Sequence, residues 1–145
     1  MKVLGVDVGK KRVGLAISDG EARIAFPLTT IQVRGGLRQT IQEVRRWIES
    51  ERVGLVVVGL PLAMDGSQGA AARHATAFAA SVTAELGIPV RTWDERFSTR
   101  EAERTLLEAD LRRDRRREVI DQVAATLILQ TFLDAEASRS RSGRD

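Results

Sequence analysis

Acidic side chains occupy three places in the chain where the surrounding hydrophobic pattern makes them unexpected. Asp7 lies inside an apolar strand pattern, and Asp94 and Glu95 follow one another at the end of a later strand. Asp121 lies in the first turns of a predicted helix, on the flank of its apolar face. A carboxylate in an apolar setting is costly unless it is paired, hydrogen-bonded or bound to a cation. The alternative explanations are a local arginine or backbone N–H partner for Asp7 and the field of a helix N-terminus for the other acids.

The rest of the composition narrows the chemistry that such acids can perform. The chain has 145 residues with no cysteine and one histidine, which excludes disulfides, zinc ribbons and thiolate nucleophiles. Carboxylate oxygens suit hard cations such as Mg²⁺ or Mn²⁺. Two such ions about 4 Å apart stabilise both the attacking and the leaving oxygen of a phosphoryl displacement. The three acidic places therefore predict a metal-dependent reaction on a phosphodiester.

Basic residues are unevenly distributed along the chain. Lysine and arginine number 23 against 20 acids, which gives a formal net charge of +3, and arginine supplies most of the positive charge. All but one of residues 112–117 are arginine, the side chain best suited to bidentate contact with phosphates. We predict that Arg115, Arg116 and Arg117 form an electrostatic contact surface for nucleic acid, carried on a mobile loop. The alternative is a solvated charged turn.

Hydrophobic periodicity predicts the elements that must position these groups. Strands are expected over 2–8, 13–18 and 22–31, joined by short turns into an antiparallel meander. Helices and strands then alternate. The later strands are predicted at 55–60 and 88–93, and the helices at 37–48, 67–86, 98–109 and 119–137. This order predicts an α/β fold with a mixed five-stranded sheet, helices on both faces, and functional groups at the carboxyl ends of strands.

The domain organisation is expected to be simple. Residues 1–137 are predicted to form a single domain, and the polar tail 138–145 is predicted to be disordered. No apolar run approaches 18 residues, and the first residues lack the pattern of a secretory signal. The cytoplasm is therefore the expected location.

Four short motifs, in order along the chain, resemble those of the YqgF/RuvX family. They are residues 7–16, 58–61 with 64–67, 94–99, and 120–125 with 128–130. The resemblance extends from residue 5 to about residue 134, which is nearly the whole chain. It implies an RNase H-like fold, a relation to Holliday junction resolvases of the RuvC type, and a role in maturing the 5′ end of 16S rRNA.

The resemblance also implies roles for individual residues. Asp7, Glu95 and Asp121 match the catalytic acids, and hence the ligands of Mg²⁺ or Mn²⁺. RuvC-type enzymes carry a further acid at the end of the fourth strand, where residues 58–61 have none. Glu95, from a neighbouring strand, would then supply the missing ligand. The motif positions expected to face nucleic acid are Lys11, Arg12, Arg96, Ser98 and Thr99.

More than one function is compatible with these residues. The favoured one is a metal-dependent endonuclease on structured nucleic acid that processes the 5′ end of pre-16S rRNA. The alternative is a Holliday junction resolvase, which would act as a homodimer because a four-way DNA junction has two-fold symmetry. A non-catalytic ribosome assembly factor is less favoured, since the chain has no recognised RNA-binding motif. A nucleotide-dependent phosphotransferase is the least favoured, because it would need two such domains.

Overall fold

The computed structural model describes residues 1–63, 65–95 and 113–142, without the side chains of 113–119 and 141–142. Within these ranges the chain forms five strands and three helices. The strands are β1 (Lys2–Val8), β2 (Arg12–Ser18), β3 (Ala25–Gln32), β4 (Val53–Leu60) and β5 (Val90–Asp94). The helices are α1 (Leu37–Glu51), α2 (Ala70–Leu86) and α3 (Arg113–Ser142).

The strands form one mixed sheet in the order β3-β2-β1-β4-β5. β2 pairs antiparallel with both β1 and β3, whereas β4 pairs parallel with both β1 and β5. The predicted meander followed by parallel strands is therefore confirmed. These directions place the carboxyl ends of β1, β3, β4 and β5 at one edge of the sheet, together with the first residue of β2. We call this the carboxyl edge.

Helices cover both faces of the sheet. α1 and α2 pack on one face, around a core that includes the buried side chains of Leu4, Ile41 and Phe78. α3 packs on the other face, where Phe132 lies in a second core with Val3. Alternation along β1 sends Val3 toward α3 and Leu4 toward the other two helices. Burial on both faces explains why the central strands are almost continuously apolar.

The last helix begins earlier than the sequence predicted. α3 starts at Arg113 rather than at residue 119, so the arginine run that was predicted to be a mobile loop is helical from Arg113 onward. Arginine has a high helix propensity, and neither glycine nor proline interrupts residues 113–142. Like charge alone therefore did not prevent helix formation, and the loop prediction was wrong for these residues.

The same helix also extends beyond its predicted end. It continues to Ser142, although residues 138–145 were predicted to be a disordered tail. Arg139 contributes to this extension, since it donates a hydrogen bond to Glu136 at 3.1 Å across one helical turn. Residues 138–142 contain neither glycine nor proline, so this segment has no strong helix breaker.

The remaining elements differ from prediction mainly at their ends. β3 begins at Ala25 rather than at residue 22, and β5 covers Val90–Asp94 rather than 88–93. The predicted helix over 98–109 lies outside the described residues. No helix in the described part of the chain is both long and apolar enough to cross a membrane.

Candidate functional site

Asp7 lies near the carboxyl end of β1, on the face of the sheet that α3 covers. Its cross-strand partner on β2 is Gly14. A Cβ built on Gly14 would overlap the backbone carbonyl of Asp121 and would lie 3.1 Å from the Asp121 Cβ. α3 therefore approaches the sheet at Gly14 more closely than any other residue type would allow. This approach brings Asp121 beside the strand pair that carries Asp7.

Glu95 reaches the same face from the end of β5. Trp93, two residues earlier, donates from its indole Nε1 to Thr131 Oγ1 on α3 at 2.9 Å. Glu95 directly follows Asp94, the last residue of β5, and is 8% exposed. A Cβ built on Gly59 of β4 would lie 3.2 Å from both Cγ and Cδ of Glu95. The side chain of Glu95 thus lies over β4, at a position where β4 itself has no side chain.

Asp121 forms an ion pair with a basic residue of β2. Arg12, the first residue of β2, donates from Nε to Asp121 Oδ2 at 2.7 Å. The two side chains are 25% and 15% exposed, so the ion pair is largely shielded from water. Arg12 was expected to face nucleic acid, and this role stays a prediction. In the structure its guanidinium binds one of the predicted acids.

Two glutamines anchor α3 to β3, one next to Asp121 and one near the start of that strand, and the sequence did not single them out. Gln122 donates to Thr30 Oγ1 on β3 at 3.2 Å. Gln130 accepts from the backbone N–H of Ala25 at 2.8 Å and donates to the carbonyl of Arg23 at 2.9 Å. Both glutamines fall within the last family-like motif, so the motif itself was the available signal. Their bonds fix the position of α3 along the sheet, and hence the position of Asp121.

The other predicted contact residues divide into described and undescribed positions. Lys11 is exposed in the turn between β1 and β2, and its backbone carbonyl accepts from the N–H of Val33 at 2.9 Å. The backbone of Arg115, Arg116 and Arg117 lies in the first turns of α3. The predicted positions Arg96, Ser98 and Thr99 lie outside the described residues.

The donor chemistry of the three acids fits a hard divalent cation. The donor atoms of all three side chains are carboxylate oxygens, which Mg²⁺ and Mn²⁺ prefer. Because Gly14 and Gly59 have no side chains, Asp121 and Glu95 occupy the space above them. Within residues 1–63, 65–95 and 113–142, however, no three acidic or histidine side chains are already grouped as a metal cage. At Asp121 a cation is already present in the form of the Arg12 guanidinium.

Comparison with known proteins identifies the family. Residues 1–135 match the family model RuvX, which is described as Holliday junction resolvase. The chain belongs to the RuvX family. A relative from Pelotomaculum thermopropionicum, provisionally named pre-16S rRNA nuclease, is 45% identical over 141 residues, which are 97% of this chain and 92% of that protein. A Myxococcus xanthus protein of the same name is 48% identical over 135 residues, or 93% and 89% of the two chains.

Solved structures support the same fold at much lower sequence identity. RuvC of T. thermophilus, in complex with a Holliday junction substrate, superposes with a TM-score of 0.58 at 15% identity. The match covers 94% of this RuvX chain and 96% of that RuvC chain. The family and the RuvC-like fold that the motifs implied are therefore confirmed. The roles of individual residues stay predictions.

Proposed function

We propose that this RuvX protein is a divalent-metal-dependent endonuclease that processes the 5′ end of pre-16S rRNA. The observation that carries the proposal is the placement of Asp7, Glu95 and Asp121 on one face of the sheet, at the carboxyl edge. Three carboxylates on one face would repel the phosphates of a nucleic acid unless cations offset their charge. The names of relatives that are 45% and 48% identical supply the substrate.

Each acid has a distinct part in the proposed site. Asp7, the cross-strand partner of Gly14, and Asp121, which lies over Gly14, would hold Mg²⁺ or Mn²⁺. Glu95, which lies over Gly59, would add a ligand. The bound cation would supply Lewis acidity to the scissile phosphate and lower the pKa of a bound water. The fold's own contribution is to keep Asp121 on a packed helix, because Arg12 of β2 binds Asp121 and Thr30 of β3 binds Gln122.

The carboxyl edge also offers positive electrostatic features for a phosphate backbone. Lys10 and Lys11 are exposed in the β1–β2 turn. α2 begins at this edge with Gly69 as its N-cap, with no side-chain cap and no acid in its first turn. α1 begins there in the same way after Gly36. Uncapped N-terminal N–H groups favour nearby anions, so phosphates would be drawn to the edge at which the acids stand.

Branched DNA is the alternative substrate. The family description names Holliday junction resolvase, and the RuvC structure is a complex with such a junction. Resolution of a four-way junction would require a homodimer with two sites related by two-fold symmetry. A non-catalytic assembly factor would bind RNA without cleaving it. Whichever of these functions the protein has, its location in the cytoplasm stays a prediction.

The test offers the purified protein three labelled substrates: a pre-16S rRNA fragment with its 5′ extension, single-stranded RNA and a four-way DNA junction. Each is incubated with Mg²⁺, with Mn²⁺ and with a chelator. We expect metal-dependent cleavage of the rRNA precursor at a defined 5′ position and no cleavage under chelation. Preferred cleavage of the junction would favour the resolvase. Tight binding of precursor without cleavage in either metal would contradict the nuclease proposal.

A further inference from the structure

The ion pair between Arg12 and Asp121 differs from the exposed ion pairs of the same protein. The Nε–Oδ2 distance is 2.7 Å, and the side chains are 25% and 15% exposed. Arg45 and Glu49 on α1 also pair through Nε, but at 3.1 Å and with side chains that are 50% and 68% exposed. Pairs of the exposed kind contribute little to stability, whereas a short and shielded charge-assisted bond contributes more.

The position of Arg12 on its strand directs it to this acid. Arg12 and Gly14 are two residues apart on β2, so both lie on the face that α3 covers. Gly14 allows α3 to approach, and Arg12 meets the carboxylate that this approach delivers. Among the described residues, Arg12 is the one hydrogen-bond partner of the Asp121 carboxylate. The bond therefore occupies an oxygen of an acid that the proposed function assigns to a metal ion.

We propose that Arg12 acts as a placeholder cation, which holds Asp121 in the metal-free protein and competes with the divalent cation for its carboxylate. This inference rests on the proposed function, since it concerns the same metal site. Neighbouring carboxylates repel one another when no cation is bound. The guanidinium offsets this repulsion at Asp121 and keeps α3 docked until a metal ion arrives. Metal binding then replaces one positive partner of Asp121 by another.

If Arg12 and the metal ion compete for Asp121, the Arg12→Gln variant should be less stable without metal and yet bind metal more tightly. Removal of the guanidinium should lower the melting temperature of the metal-free protein, because Asp121 loses its partner. It should also strengthen metal binding, because the cation no longer displaces a bound arginine. We expect the half-saturating Mn²⁺ concentration to fall by about three- to tenfold, a range appropriate to a short, partly shielded ion pair. A residue that only oriented Asp121 toward the metal would give the opposite change in affinity.

The experiment titrates Mn²⁺ alone, without nucleic acid, into the full chain and follows the melting temperature. It compares wild type, Arg12→Gln, Arg12→Lys and the control Arg45→Gln, which removes an Nε–carboxylate pair from the exposed face of α1. The control should titrate as wild type does. Arg12→Lys keeps the charge but loses the planar fork, so its half-saturating concentration should lie between those of wild type and Arg12→Gln.

The outcomes separate this inference from the proposed function. Wild-type saturation by Mn²⁺, with unchanged or weaker binding in Arg12→Gln, would overturn the placeholder role and leave the metal site standing. No Mn²⁺ response in any variant would overturn the proposed metal site, and the placeholder role with it. If Arg12→Gln does not fold, Arg12→Lys decides: tighter Mn²⁺ binding than in wild type supports the proposal, and equal or weaker binding overturns it.

Discussion

At the scale of single residues, the fold fixes the three acids in three different ways. Asp7 is part of β1 and takes its direction from strand alternation. Glu95 is enclosed at the end of β5, over the position that Gly59 leaves open. Asp121 is held through an ion pair with Arg12, which is 109 positions away in the sequence. Each acid thus depends on a different element for its position.

Asp7→Asn should separate chemistry from binding. Asparagine has nearly the same shape as aspartate but is a poor ligand for Mg²⁺, so we expect cleavage to be abolished. The fold and the affinity for nucleic acid should be largely retained. Cleavage rate, circular dichroism and equilibrium binding of the same preparation provide the measurements. Wild-type turnover by a nuclease-free preparation of the variant would remove Asp7 from the mechanism, and an unfolded variant would assign it a structural role.

Sequence reasoning located the acids but not all of their surroundings. Alternation along β1 was sufficient to place Asp7, because the strand period is local. At the end of β5 it grouped Glu95 with Trp93, but the family resemblance was needed to choose Glu95 over Asp94. The partner of Asp121 was not predictable in the same way, since the Arg12 contact depends on where α3 lies along the sheet. Alternation along β2 places Arg12 on the same face of the sheet as Gly14, although it does not identify Asp121 as the partner of Arg12.

At the scale of elements, the docking of α3 on β2 is the feature on which the site depends. The sequence predicted both elements and the mixed sheet, because apolar periodicity identifies strands and helices well. It misplaced both ends of α3, since a run of arginines and a serine–arginine tail resemble loops by composition and yet have adequate helix propensity. The close approach of α3 to β2 at Gly14 depends on tertiary packing, which hydrophobic periodicity cannot predict.

Gly14→Ala tests this docking directly. The new Cβ would overlap the backbone carbonyl of Asp121, and backbone cannot yield as a flexible side chain can. We expect the free energy of unfolding to fall by about 1–3 kcal/mol, the usual cost of overpacking. The matched control is Gly20→Ala, where a Cβ would meet nothing within 4 Å. Denaturant unfolding measures both, and equal stability of the two variants would show that α3 does not approach β2 this closely.

At the scale of the whole molecule, the charges of α3 and of the carboxyl edge concern the approach of the substrate. α3 begins at Arg113, so the backbone of the arginine run from that residue onward belongs to the first turns of the helix that later carries Asp121. Contacts between arginine and phosphate contribute affinity without sequence preference, and they release counterions.

Replacement of Arg115, Arg116 and Arg117 by alanine should therefore weaken binding to all sequences alike. The slope of log affinity against log salt should become shallower by up to about 0.9 per lost duplex contact. Cleavage at saturating substrate should change little. A control with the same loss of charge replaces Arg23, Arg45 and Arg46, which are exposed elsewhere on the molecule. Equal salt slopes for the two triple variants would reduce the arginine run to a solvated charged surface.

The central claim is that Asp7, Glu95 and Asp121 share a divalent cation. It is tested most directly by anomalous diffraction from crystals of the full chain grown with Mn²⁺. We expect an anomalous peak on the α3 face of the carboxyl edge, with carboxylate oxygens of all three acids at about 2.1 Å, the distance typical of hard octahedral cations. A peak bound elsewhere, or Mn²⁺ in the crystal with none of these acids as ligands, would contradict the account.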